Sequence, residues 1–430
     1  MLSLLDEFFP TRDRVSRRRV LRALPAATVA AGGWSIRDAV AVNADDLRRR
    51  DKAMILLWMA GGPPQIETFD PKPALSEFGA IATATPGIEI GELWPEVAKA
   101  SDEWCFVRSL SNKEGEHQRA TYQVHTGYVP VGSLKHPSIG ASISERLVAA
   151  DKASRSELPP VAAVARIGQA IGAGYLGVDY EPFVVPTPGE MPRNLDANVE
   201  AARLRRRLKL TSVLDEGFAA RGREQFARQH QSLYKQAGEL VLSPETDAFS
   251  LDREPQGLKE AYGDTDFGRG CLLARRLVER GVRFVEVVSQ GWDLHDDLAG
   301  RMRSKSAEVD PAMTTLVRDL KSRGMLDDTL VVWMGEFGRT PKINGRSGRD
   351  HFPVVFNAAM AGGGIRGGQV VGASSPGGNM VADRPVSVRD LHATFCRALG
   401  IDPEYEHMSP VGRPMKIVDG GTAIDEAFTG

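Results

Sequence analysis

Cysteine is scarce in this chain: three residues in 430, at positions 105, 271 and 396. So few and so scattered, they build neither a disulfide framework nor a zinc cluster. An excess of charge of one sign is also lacking. The 54 Lys and Arg against 56 Asp and Glu leave a formal net charge of −2, which argues against binding nucleic acid through the overall field. After residue 50 no apolar run approaches the roughly 20 residues that span a bilayer, so no membrane span is expected. What is present, 42% hydrophobic and 26% charged residues, is the composition of a globular protein. The length allows two or three domains, or one large α/β domain with insertions.

The N-terminus reads as an address and not as part of the fold. Ser16-Arg17-Arg18-Arg19-Val20-Leu21-Arg22 is a twin-arginine pattern, followed by a mildly apolar stretch at 23–36 and a small-residue site, Ala39-Val40-Ala41. The pattern predicts a Tat signal peptide over 1–41 and a periplasmic or secreted product. A basic amphipathic helix is the competing reading, weakened by Ala31-Gly32-Gly33 in its middle. Tat export carries folded proteins, often with a metal already seated. A charged linker over 42–52 then leads into one α/β domain over 53–428, with a helical insertion around 190–265.

Apolar runs at 53–59 (AMILLWM), 104–108, 158–166, 283–289, 329–334 and 354–360 predict core strands. Helices are predicted at 94–100, 138–149, 271–280, 309–323 and 387–399, with a further one from His117 to a stop at Gly127. Positions 197–234 are strongly helical and rich in arginine, and their dense basic run at 203–207 reads as a solvated face.

The chemistry concentrates after three of the strands. The organising stretch is 327–353, DDTLVVWMGEFGRTPKINGRSGRDHFP. There a buried strand releases Glu336, Arg339, Arg346, Arg349, Asp350 and His351 from its C-terminal end, which is where open α/β sheets place their sites. Asp and His hold divalent metals, and arginine prefers oxyanions; the competing reading is a loop of ordinary surface ion pairs. After the strand at 283–289 come Asp293, His295, Asp296 and Asp297. The first two are candidate metal ligands, and the last two serve equally well as helix caps. His117 stands where a polar loop becomes a helix, a position that favours a functional role, and Thr121 lies one turn further on.

These stretches, with LLWMAGGPPQIETFDPKP, KEGEHQRATYQVHTGY, GWDLH and GRDHFP the most specific, resemble the alkaline phosphatase and sulfatase superfamily. More closely they resemble a bacterial, planctomycete-rich family catalogued as a domain of unknown function, number 1501. The resemblance covers about residues 50–425. It implies an α/β three-layer sandwich, alkaline phosphatase-like, with a mostly parallel central sheet and a bimetal site at strand C-termini. It also implies hydrolysis or transfer of phosphate or sulfate groups. Asp350 and His351 match the superfamily's adjacent Asp-His ligands, and Asp293 and His295 match another Asp and His placed after a strand. The first strand of the superfamily ends in a metal-binding aspartate. Here Ala60-Gly61-Gly62 occupies that turn, so Asp70 substitutes or that ligand is lost. The usual nucleophile position falls near His117, and no cysteine begins a Cys-x-Pro-x-Arg sequence, which argues against a formylglycine sulfatase.

The expectation is therefore a hydrolase of phosphate or sulfate esters that uses a divalent ion (Zn, Ca, Mg or Mn). Asp293, His295, Asp350, His351 and Asp70 would hold the metal. Arg339 and Arg119 would clamp substrate oxygens. His117 would act as ligand, general base or nucleophile, with Thr121 and Ser111 the fallback hydroxyls and Glu336 a further catalytic candidate. The alternative is a secreted binding or scaffold protein on a degenerate fold of the same kind.

Overall fold

The computed structural model describes residues 52–428, apart from 131, 133, 152–155, 167, 169, 194 and 196–198 and the side chain of 225. The predicted signal peptide and all but the last linker residue lie outside the described residues. Nine strands form one sheet: β1 (Ala53–Met59), β2 (Cys105–Ser111), β3 (Val161–Val164), β4 (Phe183–Val184), β5 (Phe284–Ser289), β6 (Thr329–Met334), β7 (Phe356–Ala361), β8 (Gln369–Val371) and β9 (Val386–Ser387). Their order is β8-β2-β7-β6-β1-β5-β3-β4, with β9 pairing to β2 beside this path. Neighbours run parallel except at β7, which is antiparallel to both β2 and β6.

The first strand, β1, is apolar and buried at every position because both faces of the sheet are covered. In β1, Ala53, Ile55, Leu57 and Met59 enter one core, while Met54, Leu56 and Trp58 enter the other. The first core is shared with α1 (Pro95–Lys99), α7 (Asp266–Glu279) and α8 (Leu298–Ser322). The second is shared with α2 (His117–Thr126), α3 (Ile139–Ala150) and α9 (Val388–Ala398). The remaining helices are α4 (Ala201–Ala219), α5 (Glu224–Leu242) and α6 (Gln256–Tyr262). The chain thus forms the expected α/β three-layer sandwich with a mostly parallel central sheet. Leu57 has no exposed surface, so Leu57→Ala would cost about 2–5 kcal/mol.

Local chemistry fixes the helix ends. Ser387 caps α9 in a reciprocal capping box with Asp390. Gly127 closes α2 at φ 75°, a conformation glycine adopts without a Cβ penalty. The helix expected at 309–323 begins eleven residues earlier, at Leu298, and carries Pro311 inside it. The Asp310 carboxylate, inside this helix, caps a different one. Its two oxygens accept from the N–H groups of Glu96 and Val97 at 2.9 and 2.8 Å, at the start of α1. The arginine-rich region expected as one helical stretch is two helices, α4 and α5, broken at 220–223, where Gly222 takes φ 79°.

Candidate metal centre

Four segments meet at the carboxyl edge of the sheet. The turn after β1 carries Gly61 and Gly62, the loop after β5 carries Asp293 and His295, and the loop after β6 carries Glu336. The loop after β2 leads to His117 at the first position of α2. A short ribbon pairing Gly338–Arg339 with His351–Phe352 holds the last ligand candidate beside them. Glycine permits this approach. A Cβ on Gly61 would stand 2.4 Å from the Asp293 backbone N, at a φ of 118°, and a Cβ on Gly348 would meet the His295 backbone.

Three imidazoles converge on one carboxylate. Around Asp293 Oδ1 stand His295 Nε2 at 3.1 Å, His351 Nε2 at 3.2 Å and His117 Nε2 at 3.4 Å. His295 Nε2 and His351 Nε2 are themselves 3.0 Å apart. His117, Asp293 and His351 each offer a ligand atom within 4.8 Å of the others, and His295 joins through its contacts to the last two.

The outer nitrogens decide the tautomers. His117 Nδ1 lies 2.7 Å from Glu336 Oε1, His295 Nδ1 lies 2.8 Å from Asp350 Oδ1, and His351 Nδ1 lies 2.8 Å from the Gly115 carbonyl. A carboxylate or carbonyl accepts there, so each neutral ring places its proton on Nδ1 and its lone pair on Nε2. Three lone pairs and a carboxylate oxygen facing one another repel, and a cation between them removes the repulsion. His117 Nε2 is buried without a hydrogen-bond partner. The donor set and the outer acceptors on each ring fit a metal site, and a His/carboxylate composition suits zinc and similar divalent ions.

Electrostatics keep Asp293 charged. Burial works against its ionisation, but the hydrogen bond and charge of Arg339 prevail and hold the carboxyl at about 2. The hydrogen bond that His117 donates to Glu336 raises the imidazole above its ordinary value against the opposing effect of burial. Burial lowers His351, reinforced by the charge of Arg339.

Of the residues singled out in the sequence, Asp293, His295, His351, His117, Glu336 and Arg339 come together. Arg339 is not an open substrate clamp. Its guanidinium is fully buried and donates to Asp293 Oδ1 at 2.6 Å and to the carbonyls of Gly62 and Arg349 at 3.0 Å each, as well as to that of Gly61. Asp350 stands behind His295 as the acceptor of its Nδ1 proton, steadied by Asn344 Nδ2 at 3.0 Å, and is not among the converging ligand atoms. Asp70 does not reach the cluster: it is buried, where it accepts from Lys72 Nζ at 2.8 Å and from the Ser374 hydroxyl.

Arg119 pairs with Glu114 through two 2.8 Å hydrogen bonds on the exposed side of α2, away from the cluster. None of the cluster's hydrogen bonds involves Thr121, whose carbonyl accepts from His125 Nδ1. The N-terminus of α2 is closed to an anion as well, because the Glu116 side chain takes the N–H groups of Gln118 and Arg119. Arg349, expected near an oxyanion, is fully buried in an ion pair with Glu67 at 2.7 Å. Sequence reasoning missed Glu67, Asn344 and the Gly115 carbonyl; a lone Asn or Glu in a polar loop gives no spacing signal.

Fold and site together define an α/β protein with a candidate His/Asp metal centre at the carboxyl edge of its sheet. The chain belongs to the family described as "Protein of unknown function (DUF1501)", whose model matches residues 51–428. No curated protein matches the sequence. Among solved structures the chain is similar to the PsFucS1 sulfatase from Pseudoalteromonas sp., at 15% identity and a TM-score of 0.37, covering 85% of this chain and 70% of that one. It is similar to the phosphonate monoester hydrolase of Agrobacterium radiobacter at 11% identity and a TM-score of 0.37, covering 87% and 77%. It is also similar to the lipoteichoic acid synthase LtaP from Listeria monocytogenes at 12% identity and a TM-score of 0.36, covering 85% and 78%.

Proposed function

We propose that this protein is an exported, metal-dependent hydrolase of phosphate or sulfate esters. The observation that carries the reading is the convergence of three Nε2 atoms on Asp293, each ring held from behind by an acceptor at Nδ1. His117, Asp293, His295 and His351 would hold one or two divalent ions. Such an ion polarises an ester oxygen and lowers the pKa of bound water.

The chain's own residues prepare the site for that ion. Arg339 keeps Asp293 ionised and fixes its orientation. Glu336, itself anchored by the Gly61 N–H at 2.9 Å, fixes the ring of His117. Asp350 and Asn344 do the same for His295. The Asp293 side chain is 46% exposed, which leaves room for an ester. The sequence resemblance to alkaline phosphatases and sulfatases supplies the substrate class, and the twin-arginine pattern at 16–22 supplies the periplasmic or secreted address.

A specific observation also favours the second reading, a secreted binding protein on the same scaffold. No Ser, Thr or Cys side chain hydrogen-bonds within the cluster among the described residues, and neither candidate arginine is free to clamp a substrate. A panel of aryl phosphate, phosphodiester and sulfate ester substrates, each with Zn, Mn, Mg and Ca, separates the two. Turnover that His117→Ala and His351→Ala abolish supports the hydrolase; silence across the panel from metal-loaded protein supports the binding protein.

A further inference from the structure

The helical hairpin α4–α5 presents a surface that the site does not explain. Over its 19 residues α4 buries one side chain, and that one is Asp215. The two helices run antiparallel: Leu208 packs on Gly238, the Ser212 carbonyl accepts from Gln231 at 3.3 Å, and Asp215 accepts from His230 Nδ1 at 3.0 Å.

Away from this seam lie large apolar side chains. Leu210, Leu214 and Phe218 recur every fourth residue on α4 and are 65%, 67% and 47% exposed. On α5, Phe226 and Leu233 are 60% and 49% exposed, and Phe226, His230 and Tyr234 stand ring to ring along the same flank. Both sets are rotated in the same sense from the seam, so in an antiparallel pair they fall on one side of the hairpin. Exposed apolar surface of this kind on a folded chain marks a docking site.

Charge names the partner. Residues 201–242 carry nine Lys and Arg against four Asp and Glu, on a chain whose net charge is −2. Arg203 and Arg207 continue the stripe of Leu210, Leu214 and Phe218 toward the start of α4. Arg221 and Arg223 flank its other end in the connection, all four arginines being exposed. An apolar stripe framed by arginines on an exposed helical hairpin suits a segment lying in the interface of an anionic bilayer. A second copy of the chain fits less well, because the contact would bring two strongly cationic faces together.

We propose that the α4–α5 hairpin docks this protein onto an anionic lipid surface through Leu210, Leu214, Phe218 and Phe226, with the surrounding arginines at the phosphate level. Flotation of the full chain with vesicles tests it, using phosphatidylglycerol mixed with phosphatidylcholine against phosphatidylcholine alone. The expected result is binding to the anionic vesicles only, weakened at least tenfold by raising salt from 0.05 to 0.5 M, as screening requires (about 10 Å Debye length at 0.1 M). Leu214→Ser/Phe218→Ser and, separately, Arg203→Gln/Arg207→Gln each lower that binding at least tenfold while the circular dichroism of the protein stays unchanged. Three results overturn the proposal: no binding to either vesicle; binding that both double variants retain; or a concentration-dependent dimer that Leu214→Ser/Phe218→Ser dissolves, which would assign the face to a second copy.

Discussion

His295 Nε2 and His351 Nε2 stand 3.0 Å apart, although 56 positions separate the two residues in the chain. Two imidazole lone pairs do not settle at that distance for their own sake. The cost is accepted because Asp350 and the Gly115 carbonyl hold the far sides of the two rings. The pair is thus a preformed half of the candidate metal centre, and the residues behind it are as much part of that centre as the rings.

Asp350→Asn tests that division of roles. It removes the charge behind His295 without removing a converging ligand atom, so metal affinity should fall by about 10- to 100-fold and not vanish. Asp70→Asn should leave affinity unchanged, since Asp70 is engaged with Lys72 and Ser374 elsewhere. Competition of the apo protein with a chromogenic chelator measures both.

Arg339 joins the turns after β1 and β5 to the Arg349 carbonyl with one planar group. Lysine keeps the charge but cannot reach several acceptors in one plane. Arg339→Lys is therefore expected to lose on the order of 2 kcal/mol of stability, because buried carbonyl acceptors lose their partner. Urea denaturation of the two proteins checks the figure; a loss under about 0.5 kcal/mol, the size of an ordinary surface substitution, would contradict it.

A buried pair beneath the site gives stability a pH dependence. His125 and Glu286 are both almost fully buried, with Nε2 and Oε1 3.2 Å apart. Burial alone would lower His125, but the charge and hydrogen bond of Glu286 outweigh it and raise the imidazole above its ordinary value. The pair's contribution is then fully present below the unfolded imidazole pKa of about 6.5 and is lost as pH rises through the raised folded value. Glu286→Gln should cost on the order of 3 kcal/mol at pH 6 and clearly less at pH 9. Denaturation curves at the two pH values measure it, and an equal cost at both would mean that His125 stays neutral.

Much of the frame is legible in the amino-acid sequence. The strands at 53–59 and 329–334 match residue for residue, because a strand covered on both faces leaves an unbroken apolar run. The start of α2 at His117 and its stop at Gly127 are equally plain. The start of α8 is not, because Asp310 caps another helix, a contact between positions 214 apart. The arginines mislead for a related reason. Nothing local distinguishes Arg339, stitched to the carbonyls of a glycine turn, or Arg349, buried against Glu67, from an arginine that faces an anion. The expectation for Asp70 follows from the missing aspartate at Gly61. The fold meets that loss differently, by packing the glycine turn directly on the backbone of Asp293.

The most direct measurement is the metal content of the purified full-length protein, by inductively coupled plasma mass spectrometry, beside that of His351→Ala. The account predicts one or two divalent ions per chain in the native protein and their loss in the variant, with circular dichroism unchanged. A native protein free of divalent metal, or a variant that keeps its full complement, would contradict it.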